Sequence, residues 1–277
     1  MMILQFLFLG CADSPKISEA LCNGQEICER RLDQVTLAAT HNSMSSAEDE
    51  WYFPNQTWNI TTQLEHGIRG LNLDTYLWED EAYLCHSYCD LGNMRLVDAL
   101  TGLSDFLDSH PNEVIVITFQ SALSPELTMA AFAEVGLENR MYQHPLEEEW
   151  PTLQELMDAE HNLVVFSSDD GIENSPYMAQ WTHWIDNPYS AQSIEDFSCA
   201  MDRGNPETAS LFNLNHFITN PLANIDDAML ANQYESLWNH TMDCWEETGM
   251  RPNQILVDFA DQGKVLQVVQ ELNQVLK

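Results

Sequence analysis

Gly70-Leu71-Asn72-Leu73-Asp74-Thr75-Tyr76 alternates at period two, so Asn72 and Asp74 share one face of an extended strand while Leu71 and Leu73 point the other way. Further β-rich runs lie at 34–40, 113–119, 162–167, 210–217 and 254–259. Between them, Leu96, Leu100, Leu103 and Leu107 recur at helical spacing before His110-Pro111 stops the helix. Val265, Leu266, Val269, Leu272, Val275 and Leu276 repeat that pattern near the C-terminus. Strand followed by helix, several times over, predicts an α/β fold with a parallel sheet covered by helices. At this length a closed β/α barrel leads and an open doubly wound sheet is second. No repeat or linker interrupts the chain, which reads as a leader over 1–21 and a single domain over 22–277.

The 277 residues carry 44 Asp+Glu against 10 Lys+Arg, a formal charge of 10 − 44 = −34. Ten dispersed cations cannot build the basic face that phosphate neutralisation needs, so nucleic-acid binding is excluded. Hydrophobic residues make up 44%, enough for a sizeable core, which excludes disorder. The acidity fits a saline habitat or plain solubility, and describes the solvent better than the function.

Residues 1–10, MMILQFLFLG, are apolar, uncharged and too short to span a bilayer. They read as the remnant of a secretion signal. Phe8-Leu9-Gly10-Cys11 resembles a bacterial lipoprotein box, which would make Cys11 the lipidated N-terminus; ordinary secretion is the alternative. The expected location is therefore extracellular or lipid-anchored at the cell envelope. Six cysteines remain, and in an exported chain their spacing favours disulfides Cys22–Cys28, Cys85–Cys89 and Cys199–Cys244, out of about fifteen formal pairings. Cys85-His86-x-x-Cys89 read as a zinc site lacks a fourth ligand nearby. Asn55-Gln56-Thr57, Asn59-Ile60-Thr61 and Asn239-His240-Thr241 match glycosylation sequons.

In a β/α barrel, chemistry sits at the C-terminal ends of strands. Polar residues gather there: Thr40-His41-Asn42, Asn72-Leu73-Asp74, Thr118-Phe119-Gln120, Asn213-Leu214-Asn215-His216 and Val257-Asp258. Of nine histidines, His41 ends a strand beside the small Ala38 and Ala39, and His86 lies within the proposed Cys85–Cys89 bridge. A histidine pair suits general acid–base chemistry because its ordinary pKa is near neutrality. Trp181 and Trp184, near Pro188-Tyr189, are candidates for an apolar rim or for core.

Thr40-His41-Asn42-Ser43, Gly67-Ile68-Arg69-Gly70-Leu71-Asn72-Leu73-Asp74, Leu84-Cys85-His86-Ser87, Phe106-Leu107-Asp108-Ser109-His110-Pro111-Asn112-Glu113-Val114 and Pro252-Asn253-Gln254-Ile255-Leu256-Val257-Asp258-Phe259 occur in that order. Together they resemble the X region of phosphatidylinositol-specific phospholipase C, in its secreted single-domain bacterial and plant-like branch. The resemblance runs from about Cys22 to the C-terminus. It implies a distorted TIM-type β/α barrel that cleaves a phosphodiester beside an inositol ring, the ring's 2-hydroxyl attacking phosphorus. By position, His41 resembles the general base, His86 the general acid, and Asp258 the carboxylate that orients His41.

The same resemblance implies calcium, because metal-independent members carry an arginine where this chain has Asp74. Asn42 and Asp74, with Asn72 and Gln120 where animal enzymes carry glutamates, are the implied ligands. Two amides in place of carboxylates lower the ligand charge and predict weak calcium binding. Arg69 reads as structural, and Asn215 and His216 as contacts to inositol hydroxyls or as members of a fold-stabilising network. The expected partner is a phospholipid or a soluble inositol phosphodiester, met by a monomer with peripheral membrane contact. Glycerophosphodiesters or sphingolipids are alternative substrates, and a degenerate, binding-only barrel is the contrasting class. A surface at −34 is repelled by anionic bilayers unless salt screens it.

Overall fold

A computed structural model describes residues 21–275. The leader apart from Leu21, with Cys11 in it, and Leu276 lie outside the described residues. The strands are β1 (Leu37–Thr40), β2 (Gly70–Trp78), β3 (Glu81–Cys85), β4 (Asn93–Arg95), β5 (Ile115–Ser121), β6 (Met141–Tyr142), β7 (Leu163–Ser167), β8 (Tyr177–Ala179), β9 (Trp184–Asp186), β10 (Arg203–Gly204), β11 (Leu211–Asn215) and β12 (Pro252–Val257). The helices are α1 (Ile60–Glu65), α2 (Leu96–Ser109), α3 (Pro125–Glu134), α4 (Leu153–Asp158), α5 (Gln180–His183), α6 (Ile225–Ala231), α7 (Tyr234–Thr248) and α8 (Val265–Leu272). Each of the six strands and both helices anticipated from the sequence is present.

The sheet runs β9-β11-β12-β1-β2-β5-β7 with every neighbouring pair parallel, and β7 is extended by β6 along its first half and β8 along its second. The curled sheet is a distorted β/α barrel. Among the described residues no ladder joins β8 to β9; α5 connects them. His144 and Trp150 stack at 3.6 Å beside His183 near this seam. An antiparallel excursion, β2-β3-β4, carries the chain out from β2 and back to α2.

Period-two alternation divides the apolar residues into two cores. Ala38, Leu71, Leu73, Ile117, Phe119, Val165, Leu214, Ile255 and Val257 face outward against the helices, where α2 contributes Leu96, Leu100, Leu103 and Leu107. Leu37, Val116, Val164, Phe166, Trp184 and Leu211 form the second cluster inside the barrel, closed below by Trp150, Ile27 and the Cys22–Cys28 bridge. Packing inside is tight: a Cβ on Gly70 would stand 2.5 Å from the Ala39 Cβ and 2.8 Å from Gln254 Nε2.

Toward the C-terminal mouth the same inward positions turn polar: Leu37 gives way to His41, Gly70 to Asn72 and Asp74, Val116 to Thr118 and Gln120, Leu211 to Asn213 and Asn215. No helix among the described residues is long and apolar enough to cross a membrane.

Candidate active site

His41 follows β1 directly, and its backbone N–H donates to Val257 O at 2.9 Å, which brings the end of β1 beside Asp258. His41 Nδ1 and Asp258 Oδ1 are 3.0 Å apart. An ionised carboxylate only accepts, so Nδ1 carries the proton and the Nε2 lone pair is left to face the cleft. Asp258 is buried and receives a second bond from Asn55 Nδ2 at 3.1 Å. Phe217 stacks on the His41 ring at 3.9 Å, and Gln56 Nε2 donates to the His41 and Val257 carbonyls. The ring is thus held from the side, from behind and through its own backbone.

His86 sits in the turn after β3, closed by the Cys85–Cys89 disulfide. Its Nε2 lies 3.3 Å from Asn42 Nδ2. Burial lowers the His86 pKa, and the neighbouring His41 lowers it further, so the two rings feel each other's charge. Asn42 adopts a left-handed conformation (φ 46°), which asparagine tolerates, and its backbone N–H reaches Asn72 Oδ1 at 3.4 Å. One turn therefore links the ends of β1 and β2 to both histidines.

A polar cleft of about 410 Å³ opens at the mouth, lined by His41, Asn72, Gln120, Asp169, Arg203 and Asn215, with the aromatic Trp181, Tyr189 and Phe217. The Arg203 guanidinium is sandwiched at 4.5 Å from the Trp181 ring and 4.4 Å from Tyr189, and pairs with the buried Asp186. On the other side of the mouth His86 lines an apolar recess of about 300 Å³ with Trp51, Tyr52, Phe53, Tyr88, Leu91 and Leu222. Tyr52, Phe53, Tyr88, Leu91 and Leu222 are exposed.

Asp74 lies deep in the mouth, and its Oδ1 is buried without a hydrogen-bond partner. Burial pushes its carboxyl up to about 6; His41 opposes that and Asp169 reinforces it. A buried oxygen of this kind, with a second carboxylate and the Asn72 and Gln120 amides on neighbouring strand ends, is a donor set for a hard cation.

The structure thus gathers His41, His86, Asp258, Asn42, Asn72, Asp74, Gln120 and Asn215 at one mouth. His216 is not among the cleft's lining residues: it is fully buried, with Nδ1 2.8 Å from His240 Nδ1 and Nε2 2.8 Å from Ala231 O. Of the two readings open for it, the fold-stabilising network is the one its bonds describe. Asn215 lines the cleft but is anchored by Asp186 and Asn187. Arg69 ties Glu113 to the Leu64 and Ile68 carbonyls, a structural role. Trp184 is core, whereas Trp181 reaches the cleft. All three disulfides pair as the spacing favours.

Sequence reasoning missed Asp169, Arg203 and Asn55. Asp169 was findable two residues past a strand end; Arg203 lies on a two-residue strand with no pattern. Asn55 looked like a sequon, but is buried against Asp258.

Known proteins resemble this chain, some in sequence and some in fold. A PI-PLC X domain-containing protein of Arabidopsis thaliana is 27% identical, covering 96% of this chain and 70% of its own. One from Arthroderma benhamiae is 27% identical over 94% of this chain and 91% of its own. A protein of the same fungus described as secreted is also 27% identical, covering 92% and 64%. Among solved structures, the phosphatidylinositol-specific phospholipase C of Listeria monocytogenes superposes with TM-score 0.59 at 16% identity, covering 93% of this chain and 100% of the other. A Staphylococcus aureus phosphatidylinositol-specific phospholipase C gives 0.61 at 12% identity, covering 92% and 96%. These share the fold. The family model described as PI-PLC X 1 matches residues 27–273, and the chain belongs to that family.

Proposed function

We propose that the protein is an exported phosphodiesterase that cleaves an inositol phosphodiester, with His41 as base and His86 as acid. The observation that carries this reading is the position of the two rings: His41 lines a polar cleft, and His86 lines an apolar recess at the same mouth. The inositol head group fits the polar side, with Arg203 and Asn213 offering donors to hydroxyls and phosphate. The lipid alcohol fits the recess beside the exposed Tyr52, Phe53 and Tyr88. These aromatics also suit peripheral contact with a membrane surface.

In the proposed reaction the inositol 2-hydroxyl oxygen attacks phosphorus and its proton passes to His41 Nε2, while Asp258 stabilises the imidazolium formed. The bond from phosphorus to the lipid oxygen breaks, and that oxygen takes a proton from His86. The products are a cyclic inositol phosphate and a neutral alcohol. The lowered pKa of His86 leaves less of it protonated, and so less of it able to donate, in the free protein; a phosphodiester anion beside it favours the protonated form.

Calcium fits the donor set of Asp74, Asn42, Asn72 and Gln120, with Asp169 as the added carboxylate. When bound it would neutralise charge developing on the phosphoryl oxygens. EDTA is expected to suppress turnover on phosphatidylinositol, and millimolar calcium to restore it; full activity in EDTA overturns the metal assignment. Asp74→Asn is expected to weaken calcium activation at least about tenfold. The amides at Asn72 and Gln120 favour a second reading, a barrel that binds inositol phosphates without turnover. Saturable binding with no cyclic product, in calcium and adequate salt, selects it. The disulfides and the relative described as secreted support an extracellular setting.

A further inference from the structure

Among the described residues one group of three metal-ligating side chains converges: Cys199, His240 and Cys244, whose donor atoms all lie within 4.8 Å of one another. His240 and Cys244 are four residues apart on α7 and share a helix face. Cys199, on the loop before β10, is bridged to Cys244. Cys244 is buried and Cys199 half-buried.

The hydrogen bonds decide which nitrogen of His240 carries a proton. His216 Nε2 lies 2.8 Å from the Ala231 carbonyl, a contact that requires an N–H, so His216 Nδ1 holds a lone pair. That lone pair lies 2.8 Å from His240 Nδ1, which must therefore be the donor. His240 Nε2 is left bare. It is buried and has no hydrogen-bond partner, although His240 as a residue is 8% exposed. The Ser198 carbonyl lies beside this ring and also accepts from Asn187 Nδ2 at 2.9 Å. Phe197 stacks on the other face of His240 at 4.9 Å, which fixes the ring plane. A carbonyl at one end of a two-histidine relay thus leaves a neutral imidazole lone pair on a ring that has a ligand atom within 4.8 Å of both sulfurs, and a hydrogen bond from the second ring nitrogen is typical of histidine ligands to zinc.

We propose that Cys199, His240 and Cys244 form a redox-gated site for a zinc-class cation, closed while the disulfide stands and opened by a dithiol reductant. In the opening step the dithiol transfers two electrons and two protons: the Cys199–Cys244 bond breaks, two thiols form, and the reductant leaves as its cyclic disulfide. Zinc then displaces the two thiol protons and takes two thiolates and His240 Nε2, with water in the fourth position. The sulfurs need to separate only to about 3.8 Å, the spacing of tetrahedral thiolates at about 2.3 Å from the metal. The site is separate from the mouth and does not depend on the proposed phosphodiesterase activity.

The test uses the whole folded protein, oxidised or treated anaerobically with dithiothreitol and freed of it, titrated with Zn2+ against a chromophoric chelator. The expected result is no tight zinc in the oxidised protein and one equivalent in the reduced protein, lost in the Cys199→Ser/Cys244→Ser double variant. His240→Gln is expected to weaken binding at least about tenfold. On unmutated reduced protein, zinc should shield Cys199 and Cys244 from alkylation. Equal zinc retention by the oxidised form, shielding of Cys85 and Cys89 or of Cys22 and Cys28 instead, or an unaffected His240→Gln overturns the proposal. So does reduced protein whose native circular dichroism is lost and not recovered with zinc.

Discussion

Two histidine pairs, His41 with His86 and His216 with His240, show how surroundings divide one side chain into two trades. His41 is anchored through Nδ1 by an anion, Asp258, and keeps Nε2 for the cleft. His216 has both nitrogens consumed, one by a backbone carbonyl and one by a second ring, inside a region without solvent. Burial pushes His216 down to about 3 and His240 down to about 4. A ring poised for proton transfer needs one committed nitrogen and one open; a ring with neither open is a strut.

The largest expected effect breaks this comparison directly. His41→Ala and His86→Ala should each reduce turnover on an inositol phosphodiester about 10²- to 10⁴-fold, while folding free energy changes by only about 1–2 kcal/mol. His216→Ala should do the reverse, costing about 2–4 kcal/mol of stability through a cavity and an orphaned His240, with turnover per folded molecule largely retained. Steady-state rates beside denaturant titrations check both. An active His41→Ala, or a stable but inactive His216→Ala, would exchange the roles.

Next in size is Asp258→Asn, which keeps the shape of the His41 anchor and removes its charge. A loss of roughly 10²-fold in kcat with little change in KM is expected, because in the proposed reaction the carboxylate acts on the imidazolium formed in the transition state. A loss confined to KM would make Asp258 a substrate contact. Asn55 donates to the same oxygen, so Asn55→Ala should move kcat in the same direction by less.

Much of this arrangement was legible before any coordinates. The strands anticipated from the sequence span four to nine residues, enough for a β-rich run to stand out, although the five-residue β3 did not, and α2 and α8 announce themselves because their leucines and valines recur every three or four residues. The β6, β8, β9 and β10 strands span two or three residues each, too short to carry a period, so the seam and Arg203 were invisible. At the mouth, His41, His86 and Asp258 were readable from ordered motifs at strand ends. His216 misleads because it also follows a strand end, yet alternation turns it away from the interior that Asn215 faces. Only the packing of α6 and α7 shows which groups wait for it there.

Acid exposes a further consequence of the buried pair. Burial pushes His144 and His183 down to about 4 as well. Each of the four is neutral when folded and charges near its ordinary pKa of about 6.5 when unfolded. The unfolded chain therefore binds more protons between about pH 6.5 and pH 3–4, so their stabilisation is complete above that window and is lost as pH falls through it. Each contributes a slope of up to about 1.4 kcal/mol per pH unit. Denaturant midpoints from pH 7 to pH 4 should fall steeply, and His183→Gln should flatten the fall; a flat profile in the unmutated protein would mean these rings charge in place.

The smallest expected effect concerns the surface around the mouth. With 44 acidic against 10 basic residues, the chain meets an anionic bilayer against long-range repulsion, although Tyr52, Phe53 and Tyr88 beside His86 offer apolar contact. Charge repulsion acts over about 10 Å at 0.1 M salt and about 3 Å at 1 M, whereas apolar contact does not weaken with salt. Turnover on phosphatidylinositol vesicles should therefore rise several-fold between those salt levels, while turnover on a soluble inositol phosphodiester stays nearly level. Equal responses from both substrates would place the salt effect inside the cleft, at Arg203 or Asp74, and remove the aromatic recess from membrane contact.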